Sequence, residues 1–461
     1  VYYGRANRIE RERKAGRSGE FVILRFSAGC GRMFRVCLSR LGSEGMLCEV
    51  VREMLFSRDP RPEGHRRRFV AGLAATLIMA SAALAFAPVL AGAAAPPELK
   101  ARSAVLTSAE TGQVLYEKEA DLRVAPASIT KVMTMLLTME AVDSKRVSLD
   151  DVVTTSTEAS QIGGSQIWLA EGEQMKLGDM MKAIAVVSAN DAAYAVSEFI
   201  AGSAADFVNQ MNEKAKELGM NNTHFENPDG LPAPNHYSTA RDIAIMSREL
   251  VTKHPKVLEW TSVWTDTLAR TGPRVRQEES FLRNTNELIL RYPGADGLKT
   301  GMTYEAGYCL AGTAKQDGVR LISVVMGLPT NEDRIQDTIK LLNYGFREFD
   351  RVAVAKKGDV VGKIRVPNGR REEVPAAAST DFVAFVEKGK KDLVETTIES
   401  AERRALIRKG DKLGAVVASL DGRELARVDL VATEDVPRAN IVTVIIRAIR
   451  DFFRGLFGLR R

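Results

Sequence analysis

The chain has 461 residues, 45% hydrophobic and 27% charged, with a formal net charge of +6, so it is globular in composition and longer than one ordinary domain of roughly 100–200 residues. The positive excess gathers in residues 1–68 and the last fifteen, without the aromatic interleaving or fold signature of a nucleic-acid reader. With four cysteines (Cys30, Cys37, Cys48, Cys309) and no CxxC, the chain also argues against a disulfide or zinc framework.

Residues 1–53 are rich in Arg and Gly and show no clear period. The basic "HRRR" at 65–68 then precedes the uncharged run "FVAGLAATLIMASAALAFAPVLAGAAA" at 69–95, which ends in Ala-x-Ala (Ala91 and Ala93, or Ala93 and Ala95). That order reads as a secretory signal peptide. The run is long enough to span a bilayer uncleaved, but Pro88 and the dense alanines favour cleavage. Everything after Pro96 is expected to be exported, to the outer face of the cytoplasmic membrane. A signal rarely lies so far into a chain, so translation is expected to start at Met54 or Met46, and no function is assigned to 1–68.

"SAVLTSAETGQVLYEK" (103–118) predicts two short strands around a Glu-Thr-Gly turn. Helices are predicted from about Ser128 to Ala141, over 176–200 with a break at "SAND", over 203–218 and over 238–250. Three strands follow at 296–302, 307–315 and 319–327, and a helix capped by Asn331 closes the region. Strands at both ends with helices between give an α+β domain over 100–349, its hairpin and C-terminal strands sharing an antiparallel sheet.

From 350 to 437 short apolar runs alternate with Gly, Asp and Asn turns, predicting a separate small all-β domain without chemical groups of its own. Residues 438–461 form an amphipathic helix: Ile441, Ile445, Ala448, Ile449, Phe452, Leu456 and Leu459 on one stripe, Arg447, Arg450, Arg454 and Arg461 opposite. This predicts a peripheral anchor lying in a membrane surface. Half burial of the apolar side chains is worth on the order of 10 kcal/mol, against about 1 kcal/mol per arginine near anionic lipid, so the apolar term dominates.

The chemistry gathers in three motifs. Ser128 and Lys131 form the only S-x-x-K in the chain, and residues at i and i+3 are neighbours on a helix face. A serine needs a base to act as a nucleophile, and none of the four histidines (His65, His224, His236, His254) adjoins a serine motif. An ordinary lysine is neutral in only about one molecule in 2,500 at pH 7, so Lys131 requires burial or a second cation. Ser188-Ala189-Asn190 is the only S-x-N and Lys299-Thr300-Gly301 the only K-T-G. The Ser188 hydroxyl can relay a proton, Asn190 can hold Lys131 and a substrate carbonyl, and Lys299 can supply the cation. With Thr300, Lys299 also makes a carboxylate site, while Gly301 lets a substrate backbone approach the strand.

S-x-x-K, S-x-N and K-T-G in this order resemble penicillin-binding proteins and class A β-lactamases. The flanks "APASITKVMT", "VVSANDAA", "NNTHFENPDGL", "HYSTARDIA", "DGLKTGMTYEAGYCLAGTA" and "RLISVVMG" are similar to the low-molecular-mass D-alanyl-D-alanine carboxypeptidases. The resemblance covers about 100–461. It implies a transpeptidase-like α+β fold whose antiparallel sheet has helices on both faces and a helical subdomain. Ser128 would then be the acylated nucleophile, Lys131 the acylation base and Ser188 the proton relay, with Asn190 on the substrate amide. Lys299, Thr300 and Gly301 would bind the terminal carboxylate, and the N–H groups of Ser128 and Met302 would form the oxyanion hole. It further implies a peptidoglycan stem peptide ending in D-Ala-D-Ala as substrate, β-lactams as covalent inhibitors, and no metal or cofactor. Ala189 within S-x-N and Met302 after K-T-G are departures from commoner residues.

A β-lactamase would need a deacylating Glu in E-x-x-x-N, and Glu226-Asn227 and Glu287 lack that spacing. A D,D-endopeptidase acting on cross-links shares the three motifs. A non-catalytic β-lactam sensor or wall-binding protein is the reading from another class, disfavoured by the intact motifs.

Overall fold

The computed structural model describes residues 9–16, 19–28, 32–39, 95–271, 275, 278–401 and 405–456. The expected signal peptide lies outside these residues, save Ala95. Within 1–53, where the sequence shows no clear period, three antiparallel strands appear: Ile9–Gly16, Gly19–Ala28 and Arg32–Ser39. Their middle strand carries "FVILRF", the aromatic and β-branched composition that strands favour. These strands belong to a unit separate from residues 91–461.

The larger unit is built on a five-stranded antiparallel sheet. Its order is Ala295–Thr303, Gly307–Gln316, Val319–Leu328, Ser103–Ser108 and Val114–Lys118, which joins the N-terminal hairpin to the C-terminal strands as predicted. Successive side chains leave opposite faces. Val105, Ala311 and Val324 therefore enter the core beneath the helical region, while Leu106, Leu310 and Val325 meet Ile335, Leu341 and Leu342 of the Asn331–Glu348 helix on the other face. That helix is capped by Thr330, not Asn331: the Thr330 Oγ1 accepts from the Asp333 amide at 3.0 Å.

The expected helix from Ser128 resolves into a 3₁₀ turn, Ala127–Thr130, followed by the α-helix Lys131–Asp143. Its row of apolar residues is buried nearly all round, because the helix runs through the centre of the helical region. Helices Leu177–Val186 and Asn190–Ala201 flank the predicted break, and Ala204–Glu217 and Ala240–Lys253 complete the helical layer.

Beyond Phe349 the chain turns to strands. A ribbon of Phe349–Ala355 and Phe382–Glu387 accompanies a five-stranded antiparallel sheet around Val374, Leu413, Val416 and Leu430. The ribbon meets the catalytic-side hairpin through Gln113, whose side-chain amide exchanges two hydrogen bonds with the Phe385 backbone (2.7 and 2.8 Å), and through the Arg351–Glu110 ion pair.

The C-terminal helix runs Ile441–Leu456. Arg447 and Arg450 turn inward onto Glu372, and Arg447 also donates to the Gly369 and Arg370 carbonyls. The outward side carries Ile441, Val442, Ile445, Ile446 and Ile449, each more than half exposed (52–76%). The exposed side keeps Ile441, Ile445 and Ile449 of the expected stripe and adds Val442 and Ile446; the side chains of Ala448, Phe452, Arg454 and Leu456, with Leu459 and Arg461, lie outside what the structure describes. Among those, no helix is long and apolar enough to cross a membrane.

Candidate active site

Pro126 and Ala127, the latter at φ +48°, set the turn that carries Ser128. One turn on, Lys131 begins the central helix with its side chain fully buried. Its Nζ lies 3.1 Å from Ser128 Oγ, 2.6 Å from Asn190 Oδ1 and 2.6 Å from the Asp229 carbonyl oxygen. Asn190 opens its helix beyond the break, and its Nδ2 donates to the Gly163 carbonyl (2.6 Å), which directs Oδ1 at the lysine.

These contacts decide what the amine can do. The two carbonyl-type oxygens only accept, so a neutral Lys131 gives each of them one N–H and keeps its lone pair for the Ser128 hydroxyl. Burial pushes the Lys131 pKa down to about 8, against the opposing pull of the Asp229 and Asp191 carboxylates. Lys299 is also buried and held well below the ordinary lysine range, first by burial and then by repulsion from Lys131 and Arg334. Burial is therefore the first cause that brings Lys131 toward neutrality, and the mutual repulsion of the two buried lysines acts in the same direction.

Lys299 and Thr300 lie on the edge strand of the sheet. Lys299 Nζ donates to the Thr300 carbonyl at 3.0 Å, and Thr300 Oγ1 meets Thr285 Oγ1 at 2.6 Å. Gly301 has a packing role beside the expected one. A Cβ there would stand 2.8 Å from the Pro126 carbonyl oxygen and 3.2 Å from the Ala127 Cβ, so glycine lets the strand press against the Ser128 turn. Met302 follows it on the strand, 55% exposed. Ser188, at φ +64°, is buried, but its Oγ has no hydrogen-bond partner among the described residues, so the anticipated relay is not joined to Lys131 here.

Residues 90–330 match the family described as D-alanyl-D-alanine carboxypeptidase. The chain belongs to that family. Residues 349–438 match the penicillin-binding protein 5 C-terminal domain. The chain is 41% identical over 355 residues to the D-alanyl-D-alanine carboxypeptidase DacF of Bacillus subtilis (77% of this chain, 90% of the relative). It is 32% identical over 370 residues to DacA of Escherichia coli (78% and 90%). A crystal structure of penicillin binding protein 5 from Haemophilus influenzae superposes with a TM-score of 0.67 at 32% identity, covering 74% of this chain and 99% of that one.

Sequence reasoning about this carboxypeptidase missed several residues that build the site. Asp229, whose Asp-Gly sequence marks only a turn, supplies the carbonyl that holds Lys131. Its turn is knit by Asn227, which accepts from the Gly230 amide (2.7 Å) and donates to the Leu231 carbonyl (2.9 Å). Gly230, at φ +85°, packs so tightly beneath the serine turn that a Cβ would sit 2.0 Å from the Ala127 carbonyl oxygen. The "NPDGL" stretch marks a turn in the sequence, but nothing in it points at Lys131.

Asp191 accepts from the Ile167 and Leu169 amides and so holds the 163–169 loop over the start of the Asn190 helix. Arg270 braces the same loop from outside the motifs. It forms a buried two-pronged pair with Glu173 (2.8 and 2.5 Å) and donates to the Ile167 and Trp168 carbonyls, both at 2.7 Å. Breaking a buried pair costs about 3–5 kcal/mol because one charge is left uncompensated. Arg270→Leu is therefore expected to lower the denaturant midpoint markedly, and an unchanged midpoint contradicts the bracing role.

One E-x-x-x-N spacing does exist, at Glu217 and Asn221. Glu217 is exposed at a helix end and pairs with Lys214 at 2.6 Å, which is no setting for a buried deacylating carboxylate.

Proposed function

We propose that this serine D-alanyl-D-alanine carboxypeptidase trims the terminal D-alanine from peptidoglycan stem pentapeptides through an acyl-enzyme on Ser128. Lys131 takes the hydroxyl proton as Oγ attacks the carbonyl of the penultimate residue. The N–H groups of Ser128 and Met302 receive the developing oxyanion. The leaving amine regains a proton, D-alanine departs, and water hydrolyses the ester. Lys299 and Thr300 bind the terminal carboxylate, with Ser188 and Asn190 on the proton path and the substrate amide. β-Lactams would enter by the same acylation and leave more slowly.

The observation that carries this reading is the position of the Lys131 nitrogen, shared between two acceptor oxygens and the Ser128 hydroxyl. A diacyl-Lys-D-Ala-D-Ala peptide is expected to yield free D-alanine continuously with the native chain and none with Ser128→Ala. Equal release from both ends the proposal, and a single turnover without further release would favour the sensor reading.

The protein is further proposed to work after export, at the outer face of the cytoplasmic membrane, held peripherally by its C-terminal helix. The exposed aliphatic side chains of Ile441, Val442, Ile445, Ile446 and Ile449 support this. Arg447 and Arg450 are engaged with Glu372, so binding should depend on apolar burial more than on lipid charge. Detergent should release the protein from membranes while high salt leaves it bound; release by salt alone contradicts the anchor.

A further inference from the structure

Beside the Ser128 turn lies an open cleft of about 500 Å³ whose lining includes Arg123, Ala125, Asn235, Tyr237 and Glu305. Two of these carry opposite charges and, among the described residues, satisfy neither each other nor another ion. The Arg123 guanidinium lies over the Tyr237 ring, 4.8 Å from its centroid, and donates to Asn222 Oδ1 at 2.9 and 3.2 Å, so it is oriented by neutral groups. Glu305 is exposed in the turn after the K-T-G strand and has no hydrogen bond or ion pair among the described residues. A preorganised cation and an acid in one cleft make a site for a group bearing both charges.

The strand says which part of a substrate arrives there. Ala295–Thr303 is an edge strand, paired among the described residues only with Gly307–Gln316, so an extended peptide can add along its open side. On the function proposed above, the peptide's carboxyl end sits at Lys299 and Thr300 and the scissile carbonyl at Met302. The peptide then runs antiparallel to the strand, and the residue preceding the two D-alanines comes level with the strand's end, toward Glu305.

We propose that this cleft selects stem peptides whose third residue ends in a free amino acid, its ammonium facing Glu305 and its carboxylate facing Arg123. A lysine side chain satisfies only Glu305, and an amidated end leaves Arg123 unmatched. The inference rests on the carboxypeptidase reading, and its test is arranged to fail separately.

D-Alanine release is measured from two otherwise identical pentapeptides, one with meso-diaminopimelate and one with L-lysine at position three. The ratio of their kcat/KM values within one enzyme preparation cancels differences in folding. An exposed ion pair is worth up to about five-fold, so the native enzyme should prefer the diaminopimelate peptide by about that factor at low ionic strength. Added salt should compress the preference. Arg123→Gln should bring the ratio to about one, and Glu305→Gln should lower kcat/KM for both peptides. A native ratio of one or below, a ratio unmoved by Arg123→Gln, or a Glu305→Gln enzyme as efficient as native overturns the cleft's role. Loss of all release in Ser128→Ala, measured alongside, would leave the carboxypeptidase reading standing in each of those cases.

Discussion

Lys131→Ala will be acylated by penicillin about 10²–10⁴ times more slowly than the native enzyme, the range spanned by removal of a positioned general base. The geometry makes the loss specific. Among the described residues, no other titratable side chain hydrogen-bonds the Ser128 hydroxyl, and Lys131 alone reaches Ser128, Asn190 and the Asp229 carbonyl at once. The pH profile distinguishes this from a general disturbance. The amine must be neutral to accept the proton, so acylation of the native enzyme should rise with pH, reach half its plateau near the Lys131 pKa of about 8 and stay high above it. At pH 7 roughly one molecule in ten is then competent, against about one in 2,500 for an ordinary lysine. A profile that keeps climbing toward pH 10 would mean that burial does not tune this amine, and near-native acylation in Lys131→Ala would remove it as the base.

Gly230→Ala tests the floor beneath the nucleophile. The backbone at φ +85° costs an alanine about 1–3 kcal/mol. The added methyl must also displace the Ala127 carbonyl, which lies 2.0 Å from its ideal position, and overpacking of this kind costs about 1–3 kcal/mol more. Ala127 is the residue before Ser128, so any shift that relieves the clash moves the reacting oxygen relative to Lys131. The variant is expected to melt several degrees lower and to acylate far more slowly even when folded. A variant matching the native melting temperature and acylation rate would show that the Asn227–Leu231 turn and the Ser128 turn are not in contact.

The three motifs were legible because each depends on a short stretch of chain. S-x-x-K needs only one helical turn to set hydroxyl and amine together, and the break at Ser188 and the strand bearing Lys299 follow from local pattern. The antiparallel sheet was legible too, since apolar runs at both ends of a helical region have few ways to pair. The Asn331 cap was not: Asn and Thr both cap well, and which one sits at the boundary depends on how the strand before it ends.

What one sequence determined by itself, then, was the inventory of reactive groups, the order of the elements and the alternation of faces, because these rest on interactions within a few residues. The tertiary structure alone decided that Asp229 offers a carbonyl instead of a carboxylate and that Gly301 and Gly230 are glycine to let two segments touch a serine turn. It also decided that the lysine is tuned chiefly by burial. Each of these arises where segments 59 to 175 residues apart along the chain come into contact, and no local preference encodes which atoms will meet there.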